Sequence, residues 1–84
     1  MARATGPDVR SWVEAMARDL VDRPDMVEVR LVEEDDADVL ELAVEPEEMG
    51  RVIGRQGRTA QALRTLMAVA GARHGRSYEL EILD

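Results

Sequence analysis

Eighty-four residues, 45% hydrophobic and 35% charged, suffice for one small folded domain and are too apolar for a disordered chain. With no cysteine and one histidine, His74, the sequence excludes a disulfide framework, a thiolate or multi-histidine metal site and a cysteine nucleophile. The net charge of −7, taken alone, disfavours a polyanionic partner.

Residues 8–22 are predicted to form an amphipathic helix. Val9, Trp12, Val13, Met16, Leu20 and Val21 recur at three- and four-residue steps, while Arg10, Glu14, Arg18 and Asp22 take the other side. Thr5-Gly6-Pro7-Asp8 supplies a start and Arg23-Pro24 a stop. Trp12 lies in the apolar stripe and is expected in the core rather than at a binding surface.

Residues 26–33 and 39–45 switch to a period of two. Val27, Val29 and Leu31 face inward in the first, Leu40, Leu42 and Val44 in the second. The polar stretch Glu34-Asp35-Asp36-Ala37-Asp38 joins them, so the pair reads as an antiparallel hairpin. Its aspartates lack the spaced oxygens, central glycine and distal glutamate of a calcium loop, and a solvated turn is expected. Pro46-Glu47-Glu48 opens a short helix with Met49, Val52 and Ile53 on its apolar side. A longer helix over 58–72 carries Ala60, Leu63, Leu66, Met67, Val69 and Ala70, and Gly71 and Gly75 bracket its exit. Arg73 and His74 suit the negative end of that helix, where His74 is expected as a helix-end residue. Tyr78, Leu80 and Ile82 then alternate with Glu79 and Glu81 in a third strand.

The order α-β-β-α-α-β describes an α+β domain of two layers, spanning 1–84 with its core over about 8–83. Helices cover one face of a three-stranded sheet. The other face, with Glu28, Arg30, Glu41, Glu45, Glu79 and Glu81, is expected to meet water, and Val32 and Val39 to form exposed apolar spots. No apolar run approaches the length of a membrane span. Residues 1–8 lack the apolar centre of a signal peptide, so a cytoplasmic location and no membrane partner are expected.

The charge is unevenly distributed. Residues 1–49 carry −10 and residues 79–84 carry −3, whereas residues 50–78 hold six arginines and no acid. Gly54-Arg55-Gln56-Gly57 lies inside that window, between two helices. Its glycines permit a sharp turn that exposes backbone N–H groups, and the second opens a helix whose N-terminus attracts anions. Arg51, Arg55 and Arg58 crowd the same turn. A bare glycine-containing helix–helix turn is the plain reading. The acid-free window and the element order favour a site for phosphodiester oxygens.

Arg51-Val52-Ile53-Gly54-Arg55-Gln56-Gly57-Arg58 resembles the signature of the K-homology (KH) family, an Ile-Gly followed by a GxxG loop. The element order resembles the bacterial type II arrangement of that fold. The length, the first helix and residues 51–73 are similar to the KhpA family of small single-KH RNA-binding proteins. The resemblance covers about residues 8–83. It implies that Gly54, Arg55, Gln56 and Gly57 clamp the sugar–phosphate backbone of single-stranded RNA. Ile53, with Val52 or Met49 beside it, would floor a base groove whose other wall comes from Leu42–Val44. Arg58 and Arg64 would extend the phosphate track. No cofactor and no metal are expected. Thr59-Ala60 depart from the bulkier apolar residues of many KH domains, which implies a shallower groove. Family members are thought to act as RNA chaperones and post-transcriptional regulators linked to cell division and envelope growth. They form homodimers and associate with a second KH protein, KhpB.

Two other functions compete with RNA binding. A protein–protein adaptor on a KH-like scaffold is favoured by the net charge. An enzyme is disfavoured, because Ser11, Thr59, Thr65 and Ser77 have no base nearby in sequence and His74 is alone. The glycine loop also lacks the Gly-Lys-Ser/Thr ending of a P-loop.

Overall fold

A computed structural model describes residues 8–83. The first helix, α1 (Val9–Leu20), begins where Asp8 accepts the Ser11 backbone N–H at 3.2 Å, an N-cap that satisfies one of the donors left open at a helix start. The start expected over Thr5–Pro7 lies outside the described residues. Val9, Val13, Ala17 and Val21 are buried. Their four-residue spacing makes a narrow face of small side chains, which lets α1 approach β1. Trp12 and Leu20 are half-buried beside it, and Met16 is exposed. Val9, Val13 and Val21 thus come from the expected stripe, Ala17 takes the buried place expected of Met16, and Trp12 packs against the core from its margin.

A 3-10 turn over Pro24–Met26 leads into β1 (Glu28–Glu33). It pairs antiparallel with β2 (Asp38–Ala43), with Val29 opposite Leu42 and Leu31 opposite Leu40. The expected hairpin is therefore formed. Asp38 differs from its expected place in a solvated turn. It opens β2, is buried, and receives the Arg76 guanidinium, whose Nε lies at 3.0 Å. A carboxylate this enclosed requires a cationic partner.

A second 3-10 turn over Pro46–Glu48 precedes α2 (Met49–Ile53). The chain then passes through the glycine loop into α3 (Arg58–His74) and β3 (Tyr78–Ile82). β3 runs parallel to β2, with Leu40 opposite Leu80 and Leu42 opposite Ile82, so the sheet order is β1-β2-β3. The central position of β2 explains why Leu40 and Leu42 are fully buried. It also encloses Val39, which is 8% exposed between Val32 and Glu79 rather than an open apolar spot. Glu28, Arg30, Glu79 and Glu81 are exposed on the outer face, while Glu41 is half-buried and Glu45 falls beyond the end of β2.

Helix α3 turns Ala60, Leu63, Met67 and Gly71 inward. Leu66 and Val69, expected in its buried stripe, are 48% and 55% exposed. Gly71 does not end the helix. It lets the chain fold back closely: a Cβ there would sit 3.2 Å from the Arg76 carbonyl carbon and 3.3 Å from the Tyr78 ring. The Arg76 N–H donates to the Gly71 carbonyl at 2.8 Å. The observed order is the predicted α-β-β-α-α-β, and among the described residues no helix is long and apolar enough to cross a membrane.

Candidate nucleic-acid interface

The loop between α2 and α3 is built from backbone conformations that few side chains tolerate. Gly54 has φ 81° and ψ 168°, Gln56 φ 56° and ψ 25°, and Gly57 φ 75° and ψ 13°. Gln56 is the one non-glycine residue with positive φ among those described, a conformation held only where its surroundings require it. Three backbone bonds close the loop: Gly54 N–H to the Gly50 carbonyl at 2.8 Å, Gly57 N–H to the Gly54 carbonyl at 3.0 Å, and Arg58 N–H to the Arg55 carbonyl. The reversal places Arg55 and Gln56 in solvent at the N-terminal end of the 17-residue α3. The dipole of that helix concentrates positive potential there.

Arg55 and Arg58 are exposed, and neither enters an ion pair among the described residues. Arg51 is placed differently. Its guanidinium forks onto the Asp22 carboxylate at 3.0 and 3.2 Å, and its Nε is 4.0 Å from Glu48. Arg64 also has a protein partner, donating to the Leu80 carbonyl at 3.1 Å. The structure therefore gathers two of the four expected arginines at the loop with free guanidinium groups, and holds the other two against the fold.

The apolar residues divide in the same way. Ile53 is half-buried directly before the loop and Met49 half-buried on the preceding turn. Val52 is fully buried and belongs to the core, as do Leu42 and Val44, so their side chains do not form a groove wall. Glu48 was not singled out by sequence. Its carboxylate is buried and accepts the backbone N–H groups of Asp22 and Arg23, the latter at 3.1 Å. Helix-start acids are common on surfaces, and only the fold reveals that this one turns inward. His74 is exposed at the end of α3.

A second surface feature lies between α1 and α3. Trp12, Leu66, Val69 and Ala70 line an apolar groove of about 350 Å³, together with Asp8 and Arg73. Among the described residues no cluster of His, Cys, Asp and Glu has the arrangement of a metal site.

The family model described as "KhpA/KhpB, KH domain" matches residues 10–82. The RNA-binding protein KhpA of Aquifex aeolicus is 47% identical over 76 residues, covering 90% of this chain and 96% of that protein. KhpA of Halalkalibacterium halodurans is 46% identical over 78 residues, covering 90% of this chain and 100% of its own. KhpA of Mycobacterium tuberculosis is 44% identical over 72 residues, covering 86% of each. No solved structure matches. On the family match and on relatives aligned along nearly their whole length, the chain belongs to the KhpA/KhpB family of KH-domain proteins.

Proposed function

We propose that this protein binds single-stranded RNA, without catalysis, through the loop Gly54–Gly57. One observation carries the reading: the loop presents Arg55 and Gln56 to solvent at the start of α3, inside a stretch that contains no acidic residue. Backbone donors, helix dipole and guanidinium groups then act on one phosphodiester segment. Arg58 continues the phosphate track. Ile53 meets the base beside it, and Arg64 joins once its bond to Leu80 is exchanged. Arg51 acts at longer range, because Asp22 already neutralises it. The acidic remainder of the surface repels RNA and confines it to the loop. Relatives named RNA-binding protein KhpA support the ligand class. A cytoplasmic RNA chaperone or post-transcriptional regulator linked to division and envelope growth is the role that this resemblance suggests.

The test is the double substitution Arg55→Asp with Gln56→Asp. Both residues are exposed, so the fold persists. Anisotropy titration of a labelled single-stranded RNA loses its salt-sensitive binding. Unchanged affinity refutes the loop assignment.

The groove between α1 and α3 supports a protein partner as well. Large apolar side chains exposed together mark an association surface, and Leu66 and Val69 are the most exposed large apolar residues in the described chain. We assign it to a homodimer, with a KhpB-type KH protein as the other partner. Val69→Glu then halves the mass measured by sedimentation. An adaptor that uses this face and binds no nucleic acid is the competing reading, and it predicts that the loop double substitution changes nothing.

A further inference from the structure

We infer that Glu48 is a positioning residue for the glycine loop, setting its geometry through α2. This inference rests on the RNA-binding reading of that loop. The starting point is the length of α2, five residues without a side-chain cap. A helix this short has no stability of its own, because nucleation costs more than so few hydrogen bonds return. Its placement is therefore imposed by anchors. Val52 supplies one by burying its side chain completely in the core. Glu48 supplies the other at the opposite end of the helix.

The Glu48 contact is specific in direction. One carboxylate oxygen accepts the N–H of Asp22 and the other accepts the N–H of Arg23. Two successive backbone donors thus converge on one anion, as in the concave N–H arrangements that bind anions elsewhere. Arg51, one turn along α2, reaches back to the side chain of the same Asp22. The start of α2 is thereby fixed in position and in rotation against the turn that follows α1. No flexible segment separates this anchor from the loop. The Gly54 N–H continues the helical pattern by donating to Gly50, and Glu48 lies about 9 Å from Gly54 at the helical rise per residue. A rotation at Glu48 is carried to Gly54, where the unusual backbone angles leave little room to absorb it.

Energetics point the same way. Burying a carboxylate is costly unless hydrogen bonds replace its hydration, and the two backbone donors of Asp22 and Arg23 do so for one placement of α2. The enclosed carboxylate therefore ties the base of α2 to one geometry. Asp38 offers an internal control. Among the described residues it is the other buried acid, it also joins distant segments, and its partner Arg76 lies after α3, away from α2.

The experiment compares Glu48→Ala, Glu48→Gln and Asp38→Asn with the parent chain, well below each melting temperature. Two readouts are taken: the backbone amide resonances of Gly54, Arg55, Gln56 and Gly57, and the anisotropy titration of a labelled mixed-sequence single-stranded RNA. Glu48→Ala is expected to move the loop resonances and to weaken binding about tenfold or more, the scale on which loss of a supporting contact acts. Glu48→Gln keeps one acceptor and gives a smaller change of the same kind. Asp38→Asn lowers the melting temperature and moves neither readout. Loop resonances and affinity that stay at parental values in folded Glu48→Ala overturn the inference. So does an equal loss in Asp38→Asn, which reduces the effect to general destabilisation. If Glu48→Ala does not fold, Glu48→Gln decides by the same readouts. If the parent chain binds no RNA, the functional reading fails, and the loop resonances alone decide the positioning role.

Discussion

The side chain of Thr59 occupies the space that a Cβ on Gly54 would need: such an atom would lie 2.7 Å from the Thr59 Cβ and 2.8 Å from its backbone nitrogen. Gly54 also has φ 81° and ψ 168°, a region open in practice to glycine alone. Two independent restrictions therefore act on one residue. Gly57 has a positive φ of 75°, but a Cβ there would meet nothing within 4 Å. Gly54→Ala should destabilise by about 3 kcal/mol, and Gly57→Ala by about 1 kcal/mol, the ordinary cost of a left-handed alanine. Urea denaturation of the two variants tests this. Equal losses would show that Thr59 moves aside and that the loop is softer than its packing suggests.

Salt dependence reports on the loop's role without any assumption about sequence preference. Three phosphates contacted by the loop and the start of α3 give a slope of about −2 for log affinity against log salt on a single strand. Arg58→Gln should lower that slope by about 0.7, because it removes one contact. Arg51→Gln should change it little, since Asp22 already accepts that guanidinium. A slope near zero, or an Arg51 effect as large as that of Arg58, would contradict the assignment of phosphate contacts.

Much of this architecture is written locally. The alternation at Val27, Val29 and Leu40–Val44 and the glycines of the loop are each legible from neighbours in sequence, whereas Leu31, expected to face inward, is exposed on the edge strand. What sequence does not carry is the choice among apolar residues on one helix. Trp12, Leu66 and Val69 fall in plausible stripes, yet α1 and α3 turn smaller side chains inward, Ala17 and Gly71 among them. Only the close approach of helix to sheet, and of α3 to the chain after it, selects the small residues. Buried acids escape for a related reason. Asp38 and Glu48 stand among surface-like charges, and their partners Arg76, Asp22 and Arg23 are distant in sequence. At the loop, periodicity gives the position of Arg51 and Arg64 but not the carboxylate or carbonyl that each already serves.

Trp12 illustrates the energetic consequence. A fully buried tryptophan costs about 3–5 kcal/mol on truncation to alanine. Trp12 is half-buried and lines the groove with Leu66 and Val69, so only part of its area leaves water on folding. Trp12→Ala should cost about 2 kcal/mol at a concentration where the chain is monomeric, by the area rule for apolar burial. If the groove is a dimer interface, the loss grows with protein concentration, because association stabilises the parent alone. Chemical denaturation at two concentrations separates the two contributions. A concentration-independent loss near the upper figure would place Trp12 in the core after all.

Asp8 gives the chain a defined acid sensitivity. Its carboxylate caps α1, and the polar groups of Ser11, hydroxyl before backbone N–H, hold its pKa below the usual 3.8 against an opposing effect of desolvation, with the Arg10 charge adding least. The folded-state pKa is depressed relative to the unfolded chain, so the unfolded chain takes up the proton first as pH falls. The stabilisation is fully present above 3.8 and is lost as the pH drops through the folded-state value. Asp8→Asn keeps a good capping group and removes the titration. The variant should match the parent in its urea midpoint near neutral pH and lose less of it as the pH falls below 3.8, where the unfolded chain takes up the proton first. An identical acid loss in both proteins would show that the Asp8 cap does not carry the sensitivity.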